Sequence, residues 1–389
     1  MKIALIHNLK PAVKDSSLPP DYYSECDSKK TIESIAKALE GGGHTVIPVE
    51  ADRNLPKWLA ENTVDLAFNI AEGFLGEARE ARVPALLELL DIPYTGSGVL
   101  TCALALDKWR AKQIFRSQGI PTPNFQIFLH PDDPVDSRLH FPLIVKPNCE
   151  GSGKGIWASS VVRDAQALAA QVNIVLKEYG QKILVEEFIE GTELTVGIFG
   201  NEALPVLEVD FTNCAPAGES FYSWRVKEFQ GNEELHLNPQ FACPARLDAA
   251  ATHAVQSVAL KATRALGCRD LARVDIRLSQ DGIPYVLEVN PLPGLDPEES
   301  NIPIMVRAAG MSYEAFIHRI VSLAVERSQK LSTSSIPSFQ TNNRVNASPR
   351  RRALPDSMEK QPGSPGKPAL ALEQEETRKE RSKEEDLGR

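Results

Sequence analysis

The chain has 389 residues, enough for two or three domains around a large buried core. Its 42% hydrophobic and 24% charged residues are ordinary for a globular protein, and a net charge of −9 argues against a nucleic-acid partner, which needs a basic surface. No run approaches the roughly 18 apolar residues that span a bilayer, so no membrane partner is expected.

Six scattered cysteines (26, 102, 149, 214, 243, 268) without a C-x-x-C suggest free thiols in a reducing compartment. The opening MKIALIHNLK carries too short an apolar run for a signal peptide and reads as a first buried strand. A cytoplasmic location is expected.

In chain order, KIALIH (2–7) is a strand, followed by a polar loop to about Ser28 and a helix over 31–39 that the Gly41–Gly43 run ends. TVIPVE and VDLAFNI read as strands, RVPALLELL as a helix and DIPYTGS as a strand plus turn. Such alternation predicts a parallel sheet covered by helices over roughly 1–100. DKWRAKQIFRSQG is a helix closed by Gly119, FPLIVKP (141–147) a buried strand, and DAQALAAQVNIVLKEY an amphipathic helix. Two strands flank Gly191, LPVLEVDF continues their sheet, and a polar loop spans about 212–242. A helix from about Asp248 to Leu266 precedes a hairpin, and SYEAFIHRIVSLAVERS is a last helix ending near 328. From 330 to 389 the chain is rich in Ser, Pro, Asn, Arg and mixed charge, the composition of a disordered tail.

The hairpin ARVDIRLSQDGIPYVLEVN poses a question of charge. If Asp281-Gly282 is a two-residue turn, Asp275 falls opposite Glu288 and Arg273 opposite Asn290, all on one face. Two carboxylates about 5 Å apart repel by roughly 3 kcal/mol at an effective dielectric near 20. Either Arg273 and Arg277 neutralise them, or the pair, with Asn290, is a cation site. Hard Mg²⁺ favours such oxygens.

KPNCEGSGKG follows a strand ending in Lys146. It lacks the Walker A spacing, because Asn148 stands where a glycine is needed and Gly155 follows Lys154; HNLKPA likewise lacks the dinucleotide glycines. Gly151, Gly153 and Gly155 make either a phosphate cradle, with Lys154 adding charge, or a plain turn. Lys108 opens a helix and, taken alone, reads as a solvated charge. In ILVEEFIEGTEL, Glu186 and Glu187 precede Phe188 and Ile189, and Glu193 follows. The order suits adenine and ribose, or else a half-exposed edge strand.

Together these motifs resemble the ATP-grasp carboxylate–amine ligases, and within them the D-alanine–D-alanine ligases. The resemblance runs from about Phe68 to Val325 through DIPYTGSGVLTCALALDKWRAK, LIVKPNCEGSGKGI, ILVEEFIEGTELTVGI, FYSWRVK and RVDIRLSQDGIPYVLEVNPLPGL. It implies an α/β ATP-grasp fold: an N-terminal Rossmann-like parallel-sheet domain (1–100), a small subdomain (101–185), a metal-bearing subdomain (186–329) and the tail. It implies ATP as co-substrate, with Lys108 and Lys146 on its phosphates beside the loop of Gly151 and Gly153, and Lys227 contacting phosphate from a mobile loop. Glu186 and Glu187 form the adenine hinge, Phe188 and Ile189 flank the base, and Glu193 holds the ribose. Asp275, Glu288 and Asn290 become ligands of two Mg²⁺ ions, or Mn²⁺, with Arg273 and the retained Ser152 as catalytic residues. The implied partners are small amino acids or amines, and the family's frequent dimerisation leaves a homodimer open.

Departures cluster on the amino-acid side. IHNLKPAVKD lacks the family's glycine-rich turn with its Ser and Glu, NIAEGFLGEAREAR replaces a histidine-glycine element, and Glu228 stands where a tyrosine follows the lysine. Pro291-Leu292-Pro293-Gly294 replaces a Thr-Ser-Pro-Gly segment, with DPEES after it. The expectation is an ATP-dependent ligase with an altered amino-acid site. The alternatives are a true D-alanine–D-alanine ligase and a non-catalytic ATP-binding protein.

Overall fold

The computed structural model describes residues 1–333. Strand β1 (Lys2–His7) turns Ile3 and Leu5 into one core and Ala4 and Ile6 into another, all four without exposed surface. Burial on both faces is why this strand is a continuous apolar run. Helix α1 (Lys29–Gly41) starts where Ser28 Oγ accepts the Thr31 N–H at 3.0 Å, satisfying a first-turn donor. After it come β2 (Thr45–Glu50), α2 (Leu55–Glu61), β3 (Leu66–Asn69) and α3 (Arg82–Leu89). The sheet is parallel, in the order β2-β1-β3. The strand expected in DIPYTGS shrinks to one bridge, Ala67 with Tyr94, because Pro93 offers no N–H and Gly96 turns the chain at φ +89°.

Helices α4 (Val99–Leu106) and α5 (Lys108–Ser117) meet at Asp107, whose carboxylate caps α5 through the Arg110 N–H at 3.1 Å. Strands β4 (Phe125–Phe128), β5 (Leu143–Pro147) and β6 (Val161–Val162), helix α6 (Ala165–Tyr179) and strand β7 (Ile183–Glu187) build a second sheet. It is antiparallel, in the order β4-β7-β5-β6, and α6 lays Leu168, Val172 and Val175 against Val145 and Val185.

The third sheet holds β8 (Gly191–Phe199), β9 (Glu202–Ala203), β10 (Leu207–Asp210), β11 (Gln240–Ala242), β12 (Leu271–Ser279) and β13 (Pro284–Asn290). Its order is β11-β10-β8-β12-β13, with β9 paired to β8. Helix α7 (Trp224–Glu228) lies in the expected loop 212–242, as does β11. Helix α8 (Ala249–Leu266) and α5 cover one face, packing Val255, Ala259 and Phe115 with Val274 and Ile276. Helices α9 (Asn301–Ala308) and α10 (Tyr313–Thr333) place Met305, Phe316 and Ile320 in the same core as Ile3, Leu5 and Ile35. Helix α10 runs past its expected end near 328. From residue 334 on, the expected tail lies outside the described residues. Among those described, no helix is long and apolar enough to cross a membrane.

The β12–β13 hairpin corrects one expectation and keeps its consequence. Ser279 N–H donates to Ile283 O at 3.0 Å and Gly282 N–H to Ser279 O at 2.9 Å, so three residues, not two, make the turn. Gly282 takes the φ of +75° that this turn needs. The strands therefore leave the turn one step away from the expected register, pairing Ile276 with Val286. A bulge at Leu287 then takes up the extra residue, and Asp275 faces Glu288 and Arg273 faces Asn290 after all.

Candidate active site

Two cavities meet on the face of the third sheet opposite the Val274 and Ile276 core. The first is lined at its apolar end by Ile144, Phe188, Ile189, Val209 and Leu287, and at its charged end by Lys108, Lys146, Lys227, Asp275 and Glu288. The bulge lets the neighbours Leu287 and Glu288 both reach it. The second is lined by Ser152, Arg273, Asn290, Asp27, Glu72, Asp296 and Glu299, among others. Asp275, Tyr222, Lys227 and Asn301 line both.

Around the apolar end, Phe188 packs edge-on against Phe221 at 5.7 Å, and the Arg277 guanidinium lies 4.9 Å from the Phe188 ring. Arg277 also donates to Glu193 at 2.8 Å, so ring and carboxylate are held by one planar cation. Glu187 bonds outward to Asn124 and His140. Glu186 points inward, 2.7 Å from Lys112 and paired with Lys146 as well. Nothing local in the sequence singles out Lys112, one polar residue on a helix with several; in the structure it has no exposed surface. Burial lowers its pKa to about 8 despite Glu186.

Lys108 is not a solvated charge. It is only 5% exposed, because the first turn of α5 docks on the glycine loop: Lys108 N–H donates to Asn148 O, and Asn148 Nδ2 to Asp107 at 2.8 Å. Its ammonium donates to Glu150 O and lies 3.2 Å from Glu288. Lys154 leaves the cavity instead, paired with Glu150 and Glu25. In the loop itself, Gly151 N–H donates to Glu25 at 2.7 Å, and a Cβ on Gly153 would stand 3.1 Å from Trp224 N. Only a residue without a side chain lets α7 approach this closely. Glu25, which the sequence reading missed, arrives from the far end of the β1–α1 loop, three residues before the α1 cap, and is also gripped by Arg79.

At the junction the first explanation of the opposed acids, neutralisation by nearby cations, holds in part. Arg273 forks onto Asp275 with two 2.8 Å bonds, and Thr195 adds one of 2.7 Å. Arg277 does not take part. For Glu288, burial pushes the carboxyl pKa up, but Lys108, then Lys227, Lys146 and Arg273, hold it far below the usual carboxylate range. Lys227 is pushed down by burial, then by Arg273. Asn290 Nδ2 donates to Asp275 at 3.1 Å and to Glu288 at 3.5 Å, so the amide joins the two carboxylates through its nitrogen, and its oxygen would face a cation there after the amide turns over. No group of three or more His, Cys, Asp or Glu among the described residues is disposed to hold a metal. Two carboxylates and an amide still fit a hard cation that takes its other ligands from phosphate and water.

Residues 114–322 match the family model of the D-Ala–D-Ala ligase C-terminus. The D-alanine–D-alanine ligase of Syntrophotalea carbinolica is 37% identical over 295 residues, 76% of this chain and 90% of that one. The chain belongs to the D-alanine–D-alanine ligase family. The ligase of Carboxydothermus hydrogenoformans is 35% identical, over 78% of this chain and 95% of its own. A crystal structure of the Bacillus anthracis D-alanine–D-alanine ligase complexed with ATP superposes with a TM-score of 0.66 at 25% identity, covering 85% of this chain and all but 1% of that one. The α/β ATP-grasp fold expected from the sequence is borne out, and the family member described here is an ATP-dependent ligase.

Proposed function

We propose that this ligase joins an amine to a carboxylate through an acyl phosphate, with an amino-acid site altered from that of an enzyme that joins two D-alanines. One observation carries the reading: Asp275 and Lys227 stand where a cleft suited to a nucleotide opens into a separate acid-rich cavity. ATP would lay its base against Phe188 and Ile189 beside the Glu186–Glu187 hinge, its ribose near Glu193, and its phosphates among Lys108, Lys146 and Lys227 and the loop of Gly151 and Gly153. Asp275, Glu288 and Asn290 would hold Mg²⁺ or Mn²⁺, which when bound neutralises phosphate charge. We assign the three lobes to residues 1–100, 101–185 and 186–329.

The residues of the chain account for the rest. The lysines disperse charge as a substrate carboxylate oxygen attacks the γ-phosphorus and ADP departs. An amine nitrogen then attacks the acyl carbon, loses a proton and expels phosphate; Arg273, on the second cavity with Ser152, steadies the oxyanion. Helix α7 shields the acyl phosphate from water. The products are an amide, ADP and phosphate.

The second cavity supports the altered site. Asp27, Glu72, Asp296 and Glu299 give it an excess of carboxyl groups. Because burial raises the pKa of Asp27 to about 8 and that of Glu72 well above the usual range, a substrate ammonium beyond that of a simple amino acid would be favoured by drawing both into their charged form. A true D-alanine–D-alanine ligase is the second reading, favoured by the names of the relatives. The presence of Arg273, Asp275, Glu288 and Asn290 together disfavours a non-catalytic protein. Phosphate release from MgATP with a panel of amino acids and diamines tests all three. Release with a basic or diamino substrate supports the proposal, and release with D-alanine alone, giving the dipeptide, supports the second reading. No release with any acceptor contradicts a ligase.

A further inference from the structure

Glu228, next to Lys227 on α7, faces away from the phosphate lysines and toward the β1–α1 loop. Its carboxylate accepts from Lys10 Nζ at 3.1 Å through both oxygens and from Lys14 Nζ at 2.9 Å. At the other end of α7, Trp224 Nε1 donates to Ser24 Oγ at 2.7 Å, and Trp224 N–H to Ile156 O at 2.9 Å. The same loop reaches under the glycine loop, where Asp21 accepts from Gly155 N–H at 2.8 Å and from the Tyr179 hydroxyl. Residues 10–24 are thus bonded to both elements that face the nucleotide cleft.

We propose that this segment is a strap, and that Glu228, clasped by Lys10 and Lys14, is a positioning residue that fixes α7 so that Lys227 points into the cleft. The inference rests on the proposed phosphate role of Lys227. One carboxylate between two ammoniums that keep part of their exposure (32% and 45%) makes a clasp that salt weakens but that two partners reinforce. Burial raises the carboxyl pKa and the two lysines more than reverse it, as a working ion pair requires. Trp224 and Ser24 hinge the helix at its start, so loss of the clasp frees the end that carries Lys227.

The test is hydrogen–deuterium exchange of the segment 221–231 in the whole chain, with MgATP affinity measured beside it. In Glu228→Gln the segment should exchange about 5–10 times faster and MgATP should bind about fivefold more weakly, the size of a lost two-partner ion pair. Lys10→Gln/Lys14→Gln breaks the clasp from the exposed side and should do the same. The reversed clasp, Glu228→Lys with Lys10→Glu and Lys14→Glu, should restore both values. Exchange at the wild-type rate in both single-sided variants, or a reversed clasp that restores nothing, overturns the proposal. Wild-type MgATP affinity in Lys227→Ala would instead overturn the nucleotide role of Lys227 on which it rests.

Discussion

Lys112 Nζ sits 2.7 Å from Glu186 Oε2 with neither side chain meaningfully exposed, so the floor of the cavity proposed to take the nucleotide rests on a buried ion pair. Lys146 holds the other Glu186 oxygen, and Thr122 accepts a bond from Lys112 at 2.9 Å. Removing one partner of such a pair strands the other charge in a low dielectric. Lys112→Met should therefore cost about 3–5 kcal/mol in urea unfolding. Lys112→Met/Glu186→Gln should recover part of that loss; a double variant less stable than the single one would contradict the pairing.

Arg277 ties Phe188 to Glu193, the positions proposed for the base and the ribose. Because it both covers Phe188 and holds Glu193, Arg277→Ala should raise the KM for ATP about tenfold while kcat changes less than threefold, the cost of losing a stacked, ion-paired cation. Steady-state kinetics with ATP varied separate the two. Equal losses in kcat and kcat/KM would move Arg277 into the chemistry.

Asp27 gives the acid-rich cavity a pH signature. Burial, then Glu50, raises its pKa to about 8, from 3.8 for an unperturbed carboxyl. The folded chain thus binds an extra proton between those values, so this group favours folding fully below about pH 4 and loses that contribution as pH rises toward 8. Asp27→Asn should raise the Tm by about 2–4 °C at pH 8.5 and leave it nearly unchanged at pH 4. A uniform shift at both pH values would show that the carboxylate is not strained.

How much of this was legible in the sequence depended on the range of the interaction. Strand β1, helix α6 and the α8–β12–β13 run follow from local patterns, and the five motifs carried the family. Helix α2 was missed because seven residues show no clear periodicity, and α4 because VLTCALAL is apolar on all sides. The opposition of Asp275 and Glu288 was read correctly on a wrong turn, since the bulge at Leu287 offset it, and no local signal marks a bulge. Lys112, Glu25 and Arg79 were invisible for another reason: their partners lie far off in the chain, and only folding shows that these charges are buried.

On the proposed function, Asp275, Glu288 and Asn290 hold the divalent cation that accompanies ATP. This is tested most directly by titrating Mn²⁺ into the protein with a non-hydrolysable ATP analogue and counting free Mn²⁺ by electron paramagnetic resonance. Wild type should bind Mn²⁺ tightly only with the nucleotide present, and Asp275→Asn and Glu288→Gln should each weaken that binding by about 10-fold or more. Unchanged Mn²⁺ binding in both variants would mean that the opposed acids serve only Arg273 and Lys108, and that the metal lies elsewhere.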